Sequence, residues 1–186
     1  MNKDDIRRRV KAHKALLDDV ERATAAAKVF ALLEKTAAFV MARNILMYHS
    51  LPDELSTHDF LDKWAGRKSF FLPRVNGVDL DILPYDRAEL KLGAFNIEEP
   101  TGEGCISIGE MDMVIVPAVA YDRRGNRVGR GKGYYDRLLA DTSAIRIGIA
   151  YDFQLVDEID VEPHDMGVDM VITDTRLLYT RNKKQR

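Results

Sequence analysis

A chain of 186 residues with 46% apolar and 31% charged residues can bury one substantial core and is too short for two ordinary ones, so a single domain over residues 1–186 is expected. A formal net charge of −2 gives no long-range field that would gather nucleic acid or an anionic membrane, which leaves anion binding to a local cluster. Cys105 is the single cysteine, which excludes an internal disulfide or a zinc site of several thiolates and suits a reducing compartment.

The amino terminus, MNKDDIRRRV, has no apolar signal-peptide core, and no run approaches the roughly 18 apolar residues that cross a bilayer. The cytoplasm is the expected location. Ile6, Val10, Leu17 and Val20 recur at nearly helical spacing, predicting a helix between Asp4 and Arg22, and an Ala-rich helix follows from about Thr24 to Met41. The cations Arg7, Arg8, Arg9, Lys11 and Lys14 are flanked by Asp4, Asp5, Asp18 and Asp19, the pattern of a solvated helix face rather than a nucleic-acid arm. Asn44–Tyr48 reads as a short strand, and Thr57 as the cap of a helix to Trp64. Lys68–Val75 and Val78–Leu83 suit strands of a hairpin turned at Asn76-Gly77. From Pro84 to Glu110 the pattern dissolves into a long ordered loop.

Met113–Ala120 (MVIVPAVA) has the continuous apolar character of a central strand buried on both faces. Tyr134–Ala140 reads as helical, Ile145–Ala150 and Met170–Thr173 as buried strands, and Arg181–Arg186 as a frayed polar tail. Strands alternating with helices imply a layered α/β domain.

Between the central strand and its following helix lies DRRGNRVGRGKGYYDR, Asp122 to Arg137. Gly129, Gly131 and Gly133 alternate with Arg130 and Lys132, and Arg127 adds a third cation. Glycines permit close backbone approach to an anion, a helix start offers free N–H groups, and the cations supply full charge. This is a polyphosphate cradle, and hence the mark of an enzyme that uses ATP. It is not a Walker A loop, since Asn126 stands where the first glycine belongs and Gly133 follows Lys132. Nor is it a dinucleotide fingerprint, because cations fill both positions between the glycines. Asp136, three residues into the helix, reads equally as a helix-start acid or as a magnesium ligand that separates it from phosphate.

NRVGRGKGYYDRLL after VPAVAYD, with SFFLPRV upstream, closely resembles the 5-formyltetrahydrofolate cyclo-ligase family. The likeness extends to Lys3 and Arg7, to YHSLPDELST at Tyr48–Thr57 and to EPHDMGVDMVIT at Glu162–Thr173. The resemblance implies a three-layer α/β/α domain, Rossmann-like, with a mostly parallel central sheet. It implies conversion of 5-formyltetrahydrofolate and ATP to 5,10-methenyltetrahydrofolate, ADP and phosphate, with magnesium required. ATP contacts carried over by the motif are Lys3, Arg7, Arg127, Val128, Gly129, Arg130, Gly131, Lys132, Gly133, Tyr134 and Tyr135. Glu54 matches the glutamate that holds the pterin, with Phe95, Tyr48, His49 and Tyr134 as further folate contacts. Asp136 and Asp165 match the magnesium carboxylates, with Asp169 as a weaker substitute for Asp165; His164 stays outside the shell because magnesium prefers oxygen.

By the same analogy, the formyl oxygen attacks the γ-phosphorus to give an imidate phosphate, N10 attacks the activated carbon, and phosphate leaves. Arg130 and Lys132 are then the catalytic cations. Two rivals differ in what they do with ATP: a sugar-phosphate isomerase or acyl-transfer enzyme on a similar scaffold ignores it, and a folate- or nucleotide-binding module binds it without releasing phosphate. No long heptad or exposed apolar helix argues for assembly, so a monomer is expected.

Overall fold

The structure is a computed structural model that describes residues 2–180; the tail from Arg181 lies outside the described residues. Seven strands form the main sheet: β1 (Asn44–Leu46), β2 (Ser69–Asn76), β3 (Asp79–Pro84), β6 (Met113–Val116), β9 (Ile145–Ala150), β11 (Met170–Thr173) and β12 (Leu177–Tyr179). Two short strands, β4 (Leu90–Leu92) and β5 (Glu98–Pro100), pair as a separate hairpin. The sheet order is β12-β11-β9-β6-β1-β2-β3, with β2–β3 and β11–β12 antiparallel and the four pairings between them parallel. The expected mostly parallel sheet is therefore present. β6 sits fourth of seven with all four residues buried, as its apolar run predicts.

Strand alternation divides the core. Ile45, Met47, Met113, Ile115, Ile147 and Ile149 face α2 (Asp19–Glu34), α3 (Ala37–Met41) and α4 (His58–Trp64), where Val29, Phe30, Leu33, Phe39 and Phe60 meet them. Leu46, Val114, Val116 and Val171 face the other way, toward Leu139 of α5 (Tyr134–Leu139). Full burial of side chains such as Leu33, Ile45 and Ile115 contributes about 1.5–3 kcal/mol each. Gly148 allows the Tyr121 ring to lie against the sheet, since a Cβ there would meet that ring at 2.3 Å.

Several element boundaries differ from those expected. The helix predicted over Asp4–Arg22 is two: α1 (Lys3–Leu16) ends at an extended Leu17, and Asp18 opens α2 through a capping box with Glu21. Val20 is consequently exposed rather than part of the apolar stripe. The helix predicted to Met41 is interrupted where Thr36 Oγ1 accepts the Phe39 N–H and begins α3. Thr57 holds the N-cap position of α4 as expected, but its side chain does not bond the helix: the hydroxyl donates to Tyr48 O and accepts Ser50 N–H, closing the loop after β1. The hairpin turn lies at Gly77-Val78, where Gly77 alone takes positive φ. The Pro84–Glu110 loop contains β4, β5 and short 3-10 turns.

The sheet's topology also positions the site. From β1 the chain runs to β2 on one side, and from β6 to β9 on the other, so the carboxyl ends of the adjacent β1 and β6 form a topological switch point. Open α/β sheets bind ligands at such a point. The Tyr48–Thr57 loop leaves β1 there, and the chain toward the glycine loop leaves β6 there.

Candidate active site

The glycine loop does not follow the central strand directly. After β6 the chain forms β7 (Ala120–Asp122) and β8 (Arg127–Val128), which pair with each other and, through β7, with β10 (Leu155–Val156) in a small sheet. Asp122 organises the β7–β8 turn: Oδ1 accepts the Arg124 and Asn126 N–H groups, and Oδ2 accepts Asn126 Nδ2 and Ile159 N–H. Gly125 completes that turn at φ 86°. Val128 is wholly buried beside Ile6 and Val10 of α1, so its side chain belongs to the core. Gly131 and Gly133 take positive φ of 94° and 71°, which explains glycine at both places. Helix α5 has only six residues, so the positive charge of this loop rests on its side-chain cations more than on a helix dipole.

Helix α1 lies against this loop. Lys3 Nζ donates to Asp165 Oδ2 at 2.6 Å, and the Arg7 guanidinium donates to Gly129 O at 3.0 and 3.1 Å. Arg127, with its side chain 6% exposed, donates to Asp136 Oδ1 at 2.6 Å and to Met166 O at 3.0 Å. The Met166 N–H donates to the same Asp136 oxygen, so Asp136 abuts the residue after Asp165. Asp165 is held below the usual carboxylate range: burial raises its pKa, but the Lys3 bond, the Glu162 N–H and the Lys3 charge outweigh it. These neighbouring oxygen donors suit magnesium. Among the described residues, Glu162, His164 and Asp165 also bring ligand atoms within 4.8 Å of one another. Asp169 lies elsewhere, accepting the Arg146 N–H.

At the other end of the cleft, Glu54 is mostly buried and accepts the Leu51 N–H at 2.9 Å through Oε2. Its Oε1 accepts Arg130 Nη2 at 2.9 Å, and the same nitrogen lies 3.3 Å from Asp53 Oδ1. The glycine loop and the candidate pterin acid therefore meet directly. Tyr48 is buried, and burial, followed by the Glu54 charge, raises its phenol well above its ordinary value. His49 stacks on His58 with centroids 3.8 Å apart and lies 2.9 Å from Glu98 of β5, joining the 84–110 segment to the site. Phe95 is 56% exposed and occupies the left-handed region at φ 61°, costly for an aromatic residue. Lys132 Nζ stands 5.6 Å from its ring centroid.

The two loop tyrosines separate. Tyr134 points its hydroxyl toward Gly77 O at 3.4 Å, away from Glu54. Tyr135 has a buried hydroxyl without a hydrogen-bond partner among the described residues, and burial and then the Glu54 charge raise its pKa. Lys14, read from sequence as part of a solvated face, is instead buried and lies 3.6 Å from Asp53 Oδ2. Its spacing of seven from Arg7 is the signal that places it on the inward face.

The model of the 5-formyltetrahydrofolate cyclo-ligase family matches residues 1–174. The chain belongs to that family. It is thereby an enzyme of folate metabolism. The 5-formyltetrahydrofolate cyclo-ligase of Haemophilus influenzae is 33% identical over 135 residues, covering 67% of this chain and 72% of its own. That of Escherichia coli K12 is 30% identical over 148 residues, covering 74% and 81%. The NMR structure of Aquifex aeolicus 5,10-methenyltetrahydrofolate synthetase, 29% identical, superposes with a TM-score of 0.88 over 99% of this chain and 95% of its own. The α/β fold with its mostly parallel sheet is thus that of a cyclo-ligase family member. No helix among the described residues is long and apolar enough to cross a membrane.

Proposed function

We propose that this cyclo-ligase family member converts 5-formyltetrahydrofolate to 5,10-methenyltetrahydrofolate, consuming ATP and releasing ADP and phosphate. The observation that carries the reading is the meeting of the two substrate ends: Arg130 of the glycine loop reaches Glu54 at 2.9 Å, at the switch point of the sheet.

Glu54 accepts hydrogen bonds from the aminopyrimidinone edge of the pterin, and Tyr48, His49 and Phe95 flank the ring. Lys3, Arg7, the backbone of 128–133, Lys132 and Arg130 hold the triphosphate. The formyl oxygen attacks the γ-phosphorus while the bond to ADP breaks, giving an imidate phosphate. N10 then attacks the formyl carbon, loses its proton, and the phosphate leaves. Lys132 and Arg130 stabilise the charge on the transferring group, and no enzyme nucleophile is required. Asp136 and Asp165 supply an oxygen donor set for magnesium, which when bound neutralises phosphate charge. Residues 1–186 act as one domain, and the chain works as a cytoplasmic monomer.

The test is absorbance of the conjugated methenyl product from purified protein with 5-formyltetrahydrofolate, ATP and magnesium, each omitted in turn. A signal that needs all three supports the proposal. Folate binding without product would make the chain a binding module, and product formation without ATP would overturn the phosphorylation step.

A further inference from the structure

Three cations of α1 share one face: Lys3, Arg7 and Lys14 fall four and seven residues apart, within an arc of about 40° at 100° per residue. At 1.5 Å per residue, Lys14 lies about 16 Å along the axis from Lys3. The first two reach Asp165 and Gly129 O at the nucleotide end. The third enters the opposite end of the cleft, in a recess lined by Tyr48, Glu54, Leu55, Ala118 and Gln154.

The surroundings of Lys14 leave its ammonium under-employed. Among the described residues, the one carboxylate within 4.0 Å is the half-exposed Asp53 at 3.6 Å, longer than the roughly 2.7–2.9 Å of a charge-assisted hydrogen bond. Gln154 is committed elsewhere, its Oε1 to the Tyr151 N–H and its Nε2 to Val119 O. Burial lowers the pKa of Lys14, with Asp53 and then Glu54 opposing. A cation in the last turn of a helix serves the helix dipole without having to be buried, so the dipole alone does not call for burial. An ammonium carries three donors, and this one faces the candidate pterin acid.

Around a pterin ring, the 4-carbonyl oxygen is the acceptor next to the N3–H and 2-amino donors that a carboxylate takes. We propose that Lys14 is a positioning residue for the pterin, its ammonium donating to the 4-carbonyl oxygen while Glu54 accepts from N3–H and the 2-amino group. The assignment rests on the reading of Glu54 given above. It makes Lys14 and Glu54 a donor–acceptor pair that fixes the ring's register and selects 4-oxo over 4-amino pterins.

The test compares binding of 5-formyltetrahydrofolate and its 4-amino counterpart to the wild-type chain and to Lys14→Met, by calorimetry with a non-hydrolysable ATP analogue. The 4-amino ring also lacks N3–H, so part of any preference belongs to Glu54; the change on substitution isolates the part due to Lys14. The preference for the 4-oxo ligand falls by about tenfold in Lys14→Met, with KM for the folate rising similarly while kcat and KM for ATP stay within about twofold. An unchanged preference in a folded Lys14→Met protein overturns the proposal, as does a wild-type chain that binds both ligands equally. A wild-type chain that binds neither ligand sinks the reading of Glu54 itself. Should Lys14→Met fail to fold, Lys14→Ala, which also lacks a donor, takes its place in the same comparison, with the same outcomes expected.

Discussion

At the amino-terminal end of α1, each candidate metal carboxylate takes its cation from a regular element: Asp165 from α1 through Lys3, and Asp136 from β8 through Arg127. At the carboxyl-terminal end, Glu54 takes Arg130, a side chain of the glycine loop that the proposed chemistry uses at the phosphoryl group. The Arg127 side chain is almost fully buried, and separating such a pair is costly, whereas Arg130 is half exposed and can leave the mostly buried Glu54 for another anion at smaller cost. The candidate nucleotide end is thus prebuilt, and the candidate folate end is joined to it through the exchangeable cation Arg130.

Removing Lys132, the loop cation without a carboxylate partner among the described residues, should break the comparison most severely. Lys132 is exposed, with Phe95 as its observed neighbour, so its charge adds little to the fold. Lys132→Ala should lower kcat/KM by about a hundredfold or more while leaving the thermal midpoint within about 2 °C. Steady-state rates and a thermal melt on the same preparation check both parts; near-normal turnover would remove Lys132 from the mechanism.

The exchangeable link makes a second, smaller prediction. If triphosphate draws Arg130 away from Glu54, a non-hydrolysable ATP analogue should tighten folate binding by about fivefold, the equivalent of about 1 kcal/mol of coupling. In Arg130→Ala, folate should bind more tightly than to the wild type in the absence of nucleotide, and the coupling should fall below about twofold. Titrations with and without the analogue measure this. Equal coupling in both proteins would mean that the Arg130–Glu54 bond has no part in communication between the ends.

The sheet was legible because its strands are short apolar runs whose burial follows from pattern alone, as in MVIV of β6 and IRIGIA of β9. The glycine loop was legible because alternating Gly and cation has few other uses. Helix ends were not: the break after Leu16 depends on the reciprocal Asp18–Glu21 bonds, and the periodic spacing of Leu17 and Val20 runs across it. The small β7–β8–β10 sheet was missed because β8 and β10 are two residues each, and β10 reaches its partner β7 only through a pairing distant in sequence, Leu155 with Tyr121 and Val156 with Asp122. Lys14 was missed for a related reason. Charge next to charge along the chain reads as solvated, and only the packing of α1 against β7 and β8 turns one of those cations inward.

The smallest effect concerns the His49–His58 stack, which borders the candidate folate end. Burial lowers the pKa of His49 below its ordinary value of 6.5, and His58 pushes the same way, while Glu98 and Asp62 oppose and Arg87 adds to the lowering. The unfolded chain therefore binds the His49 proton more readily than the folded one, so the stability contribution is fully present above about pH 6.5 and is lost as pH falls toward the folded value. The sign is opposite to that of a histidine whose carboxylate partner dominates. Urea unfolding of the wild type should therefore weaken between about pH 7 and about pH 5, and His49→Leu should flatten part of that slope. A variant slope equal to that of the wild type would show that the contact at 2.9 Å with Glu98 offsets burial and that the stack does not sense pH.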